Sequence, residues 1–243
     1  AHYRSMEPAA ILRAIKARHR GVVLYMGESL IDGQPIAGIY QFGSGNRKTG
    51  AMRQTYIFLQ KVSILDGIRQ LLDASICGLC VHRPQADGSR SCYVDERGLQ
   101  TVWQSVTGTG IRTGIATEAR YITLPELCAL TGLAPAIALG ALGLGDSIRL
   151  GSYGDPAAIP APLWEALTSQ AETWTGYTHQ WENPAVAAIP GQLESLRGLV
   201  RASADDVASY RRATKAGWLP FVVTDSVETG RALRDESPLP VAL

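Results

Sequence analysis

Between residues 147 and 225 the sequence alternates short β-rich runs with amphipathic helical runs, and this restricts the fold more than any other feature of the chain. Ser147-Ile-Arg-Leu-Gly-Ser-Tyr153 reads as a strand, and residues 162–172 as a helix with Leu163, Trp164 and Leu167 on one face. Trp174-Thr-Gly-Tyr-Thr-His179 and residues 199–203 read as further strands. A helix capped by Ser203 or Asp205 then runs to Ala216 and stops at Gly217, before a last strand over 218–223. Strands joined through helices lie parallel, with right-handed crossovers. The expected fold class is therefore α/β, with a parallel sheet forming a full or partial (β/α) barrel. In such sheets the carboxyl ends of the strands share one face, where ligands bind.

Upstream, Ile11, Leu12 and Ile15 recur at helical spacing in residues 8–18. Residues 21–26 and 36–42 flank an Asp32-Gly33 turn and read as a β-hairpin. Residues 52–59 make a strand, and Ile64, Leu65, Ile68, Leu71 and Leu72 predict a helix over 64–74. Residues 99–106 suggest another helix, and Thr123 caps one that begins with Leu124-Pro125. The chain thus divides, within a single α/β domain over 1–243, into an N-terminal helix and hairpin (1–44), a cysteine-loop region (45–106) and regular β/α units (147–225). The longest apolar run, 133–144, is too short and too rich in glycine to span a bilayer, and the first six residues lack the apolar core of a signal peptide. Cytoplasmic location and no membrane partner are the expectation. A net charge of +1 argues against a dominant nucleic-acid-binding surface.

Cys77, Cys80 and Cys92 fall within sixteen residues, while the remaining cysteine, Cys128, stands on an apolar helical stretch and reads as core. Cysteines three apart can direct both sulfurs at one centre, and thiolates select zinc or iron–sulfur clusters. The polar stretch from Gln85 to Arg90 contains a glycine turn that can fold Cys92 back toward the pair, and His82 lies between as a further ligand. Two readings follow: an iron–sulfur cluster on Cys77, Cys80 and Cys92, or a structural zinc site that adds His82.

The strand ends carry Asp155, Thr178, His179 and Gln180. Asp155 and His179 are the catalytic candidates, as an acid–base pair beside the metal; Thr178 and Gln180 are candidates for ligand contact. Asn46 and Lys48, in the glycine-rich segment 43–50, can present backbone N–H groups and a cation to an anion, although the Walker A spacing is absent. Asp155, Thr178, His179 and Gln180 are expected in one cavity next to the cysteine loop, with Lys48 at its edge.

Several stretches taken together, namely 45–50, Ile76-Cys-Gly-Leu-Cys-Val-His-Arg83, Ser91-Cys-Tyr-Val94, 149–158, 174–181 and Ala216-Gly-Trp218, resemble an uncharacterised family of proteins from tailed phages and mobile elements. The likeness covers roughly residues 36–225 and is, more distantly, radical-SAM-like. The resemblance implies a [4Fe–4S]-type cluster, S-adenosylmethionine as a cofactor, a small-molecule substrate, and residence in the cytoplasm of a host cell. The chain departs from the radical-SAM signature, with C-x2-C-x11-C in place of C-x3-C-x2-C. The resemblance also implies cysteines after the last strand, and none follows Cys128. A further reading is a protein that binds a host protein or nucleic acid through Arg47, Lys48, Arg53, Arg83 and Arg90 around the cysteine loop.

Overall fold

The computed structural model describes residues 6–43, 50–107, 121–224 and 226–236. Asn46, Arg47 and Lys48 lie outside the described residues. The amphipathic stripe of Ile11, Leu12 and Ile15 forms helix α1 (Pro8–Arg18), which buries all three side chains. The hairpin follows as β1 (Gly21–Glu28) and β2 (Pro35–Gln41), then β3 (Arg53–Leu59). The cysteine region contains α2 (Ile64–Arg69), α3 (Ala74–Cys77) and α4 (Glu96–Thr107). Next come β4 (Tyr121–Thr123), α5 (Leu124–Thr131) and α6 (Pro135–Gly143). The alternating half supplies β5 (Ser147–Tyr153), a 3-10 turn (Pro156–Ala158), α7 (Ala161–Thr168), β6 (Thr173–Thr178), α8 (Pro184–Ala187) and α9 (Gln192–Arg197). It ends with β7 (Arg201–Ala204), α10 (Val207–Lys215), β8 (Pro220–Val222) and α11 (Val227–Glu236).

The strands form one eight-stranded sheet in the order β4-β1-β2-β3-β5-β6-β7-β8. β2 is antiparallel to both of its neighbours, and every other adjacent pair is parallel. The fold is therefore α/β with a mostly parallel sheet. β5 to β8 are consecutive parallel neighbours, as their strand–helix alternation requires. Among the described residues the pairing order begins at β4 and ends at β8, so the ladder runs from edge to edge. The core is continuous: Tyr40, Ile57 and Phe58 of the sheet pack with Leu139, Leu142 and Trp164 of the covering helices in a single apolar cluster. No single described helix is long and apolar enough to cross a membrane. The apolar α6 buries Ala138, Leu139 and Leu142.

Three local details differ from the expectation. The helix over 64–74 is interrupted. α2 stops at Arg69, Leu71 takes a left-handed φ of 59°, and Leu72 N–H donates to Gly67 O at 2.8 Å. This is a Schellman ending with leucine where glycine is usual. It turns the chain before a long helix can carry Cys77 to the far side of the sheet. The cap of α10 is Asp206, which exchanges hydrogen bonds with Ser209, and not Ser203 or Asp205. β4 is a three-residue strand paired with Gly21–Val23, so the chain crosses to the distant edge and returns through α5 and α6 to β5. Thr123 caps α5 as expected, in a reciprocal box with Glu126.

Candidate functional site

Every described strand except β2 points its carboxyl end to the same face, and there a cavity of about 550 Å³ opens. β5 and its loop line it with Arg149, Tyr153 and Asp155; β6 with Tyr177 and His179; the ends of β7 and β8 with Asp205, Phe221 and Val223. The cysteine loop closes the remaining wall with Cys77, Cys80, His82, Ser91, Cys92 and Tyr93. Cys77, Cys80, Cys92, Asp155 and His179 thus line one cavity. Cys128 is partly buried against the core on α5, away from this wall.

The loop reaches this position through its turns. Cys80 N–H donates to Cys77 O at 3.1 Å, which closes the turn between the paired cysteines. Gly88 N–H donates to Gln85 O at 3.0 Å and Gln85 N–H to Ser89 O at 2.9 Å, reversing the chain, and Cys92 N–H then reaches His82 O at 2.9 Å. The glycine turn read from the sequence therefore does fold Cys92 back. α4 anchors the exit, since Trp103 Nε1–H donates to Leu59 O at the end of β3.

A buried hydrogen-bond knot fastens the loop to the sheet. Gly154, at φ 77°, lies so close to β3 that a Cβ there would stand 2.7 Å from that of Ile57. The next residue, Asp155, caps the 3-10 turn. Its Oδ1 accepts from Ala157 N–H at 2.9 Å and Thr178 Oγ1–H at 2.7 Å, and its Oδ2 from His179 N–H at 2.8 Å and Gln180 Nε2–H at 3.2 Å. Gln180 Nε2–H also donates to Cys77 O at 2.9 Å, while its Oε1 accepts from Leu79 N–H at 3.1 Å and Asn183 Nδ2–H at 2.8 Å. Asp155 N–H adds a bond to Ile76 O. Gly78, between the two cysteines, has φ 50°, and a Cβ there would meet Gln180 Oε1 at 2.1 Å. Only glycine lets the Cys77–Cys80 turn sit on the carboxamide.

These contacts revise several assignments. Thr178 and Gln180, expected to touch a ligand, are fully buried, with their polar atoms engaged inside the protein. The carboxylate of Asp155 is saturated by four donors, so it positions the loop and the end of β6 and is not a free acid–base group. Burial raises its pKa, with the four donors pulling the other way. His179 is different: its backbone is held by Asp155 while its ring faces the cavity. The arginines expected as a basic rim are engaged as well. Arg53 pairs with Asp146 at the opposite end of the sheet, Arg83 bonds Leu71 O and Asp73, and Arg90 bonds Glu96 and Val94 O.

Sequence reasoning passed over Arg149, which is the cation inside the cavity. Its guanidinium lies 4.7 Å from the Tyr177 ring centroid and donates to Tyr93 Oη at 3.1 Å. Its buried Nε–H has no partner among the described residues. Its place on β5, four residues before Tyr153, was the available signal.

The cysteines are free thiols. Burial pushes Cys77 well above the usual thiol range, helped by the nearby Asp73, Cys80 and Asp155, and pushes Cys80 up to about 11. Such thiols stay protonated and unreactive unless a bound cation displaces the protons. Thiolates on one tetrahedral ion stand about 3.8 Å apart, given Zn–S bonds of about 2.3 Å. Among the described residues no group of three donors that includes a cysteine fits within 4.8 Å. The three sulfurs do not converge on one point in the metal-free arrangement, and the His82 ring is turned toward Asp205. No protein-family model, curated protein or solved structure matches the chain.

Proposed function

We propose that this chain is a metalloprotein that holds an iron–sulfur cluster on Cys77, Cys80 and Cys92, in the wall of a cavity that binds a small anionic molecule. The observation that carries the reading is three free thiols along one wall of a cavity at the carboxyl ends of parallel strands. When bound, a cubane cluster held by three thiolates offers one iron to an exogenous ligand, which makes the reading that of a radical-SAM-like enzyme. The protein's own contribution is positional. Gln180 and Gly78 fix the Cys77–Cys80 turn, and Asp155 fixes Gln180. Arg149, with its unpartnered Nε–H, suits a carboxylate such as the one S-adenosylmethionine carries. Tyr177 and Phe221, with ring centroids 4.8 Å apart, supply apolar surface for the rest of the molecule.

The test is anaerobic reconstitution with iron and sulfide. A cluster gives a brown protein with broad visible absorbance, and Cys77→Ser, Cys80→Ser or Cys92→Ser each removes most of the iron while Cys128→Ser keeps it. Colourless protein, or iron content indifferent to all three substitutions, overturns the reading; zinc bound through the same cysteines would replace it with a structural site.

A further inference from the structure

His82, His179 and Asp205 come from three separate segments: the cysteine loop, the end of β6 and the end of β7. Their donor atoms all lie within 4.8 Å of one another, and among the described residues they are the group of this kind. His179 Nε2 stands 3.3 Å and His82 Nε2 3.5 Å from the same oxygen, Asp205 Oδ1. Both separations exceed the about 2.7–3.2 Å of a good N–H···O hydrogen bond. They match the edge of a coordination tetrahedron: bonds of about 2.0–2.1 Å set neighbouring donors about 3.3 Å apart. The imidazole rings meet edge-on, with centroids 5.7 Å apart and an angle of 75° between their planes, so their Nε2 atoms converge without stacking.

The surroundings fit ligation. His82 Nδ1 is 2.8 Å from Ser91 Oγ, and an Nδ1–H donated there leaves the lone pair on Nε2. The backbone of His179 is fixed by Asp155 Oδ2. All three residues line the cavity, so an ion on them has protein on one side and the ligand space on the other. Two imidazoles and a carboxylate with an open position is the donor set of mononuclear zinc and ferrous sites, of borderline softness and unsuited to calcium or magnesium.

We propose that His82, His179 and Asp205 bind one divalent first-row transition ion, zinc or ferrous iron, with an open coordination position facing the cavity. This site is separate from the cysteine centre and stands whether or not the cysteines hold a cluster. Cobalt(II) is the probe. Full-length chain carrying Cys77→Ser, Cys80→Ser and Cys92→Ser together, stripped with a chelator, binds one cobalt ion whose visible spectrum lacks the thiolate-to-cobalt charge-transfer band. Adding His179→Ala or Asp205→Ala weakens binding at least about tenfold, since losing even an outer partner costs about 10–100-fold. If the triple variant is unfolded by circular dichroism, the comparison moves to otherwise unaltered chain, where His179→Ala must lower total bound cobalt by one ion and leave any thiolate band unchanged. Absence of cobalt binding in the folded triple variant, or binding indifferent to His179→Ala and Asp205→Ala, overturns the proposal.

Discussion

Replacing Gln180 with alanine tests whether the loop that carries the cysteines is held by one carboxamide. The side chain is fully buried and makes four hydrogen bonds: to Leu79 N–H, Cys77 O, Asn183 Nδ2–H and Asp155 Oδ2. Three of these partners have other recourse. Asp155 Oδ2 keeps His179 N–H, Cys77 O keeps Cys80 N–H, and Leu79 is an exposed residue at the edge of the knot. Asn183 Nδ2–H is left stranded, at about 1–3 kcal/mol for a buried group, and the space vacated by the carboxamide adds a cavity cost. The expected loss is about 3 kcal/mol, roughly a hundredfold in the folding equilibrium, which a domain stable by about 5–15 kcal/mol survives. Urea unfolding of reduced, metal-free protein should show a lower midpoint with an unchanged slope. Cys77 and Cys80 should also alkylate faster, while Cys128 does not.

Gln180→Glu sharpens the test through its sign. The carboxylate keeps an acceptor for Leu79 and Asn183 but sets a second oxygen against Cys77 O and the Asp155 carboxylate. The introduced acid therefore has a folded-state pKa above its unfolded value of about 4.3. A raised acid is stabilising in its protonated form, so the deficit relative to the parent is largest at neutral pH. It shrinks as pH falls through the raised value and is smallest below about 4. A cost under about 1 kcal/mol for Gln180→Ala, or a Glu variant whose deficit grows on acidification, would refute the clasp.

Gly78→Ala, which drives a Cβ into Gln180 Oε1 and strains a positive φ, should cost at least about 3 kcal/mol; combined with Gln180→Ala the two losses should sum to less than additive in urea unfolding, because the clash disappears with the carboxamide. At the other end of the sheet, Asp146 accepts from Tyr40 Oη–H at 2.7 Å, Lys16 Nζ at 3.0 Å and Arg53 Nε at 3.3 Å. Burial pushes this carboxyl up, but those donors and the Lys16 charge outweigh it and leave its pKa lowered. A depressed acid contributes stability above its unfolded pKa of about 4 and loses it as pH falls further. Asp146→Asn should therefore cost about 2 kcal/mol at pH 7, with the gap to the parent closing below about pH 4 in parallel unfolding curves.

The parts of the fold visible in the sequence are those with a period or a bounded β-rich run. α1 and β5 repeat apolar residues at intervals of 3.6 and 2, the hairpin and β6 to β8 are β-rich runs set off by turns and helices, and all form where those signals put them. β4 spans three residues, too few to show a period, and exists only because Gly21–Val23 stands beside it. The break after α2 was hidden because leucine at a left-handed position carries no sequence signal, at a cost of about 1 kcal/mol that the surrounding packing offsets. The arginines misled for a related reason. Charge is visible in a sequence, but whether Arg53, Arg83 and Arg90 spend it on internal partners is decided by tertiary geometry.

The same distinction divides the residues at the end of β6, which the sequence presents as one polar group. Side chains alternate across a strand, and the alternation continues past Thr178 into the loop. Tyr177 and His179 face the cavity, whereas Thr178 and Gln180, one step out of phase, are fully buried in the knot with Asp155. Adjacent residues therefore take opposite duties. One set holds the cysteine loop by satisfying every buried donor and acceptor, and the other offers unsaturated groups to whatever enters the cavity. A polar residue at a strand end is by itself ambiguous between these duties, and its phase relative to the apolar residues of the strand resolves it. Leu150 and Ile148 are buried while Arg149 between them reaches the cavity, so the rule holds on β5 as well. On that phase, Arg149, Tyr177 and His179 are the strand-borne groups available to a ligand, and Asp155, Thr178 and Gln180 are what keeps Cys77 and Cys80 beside them.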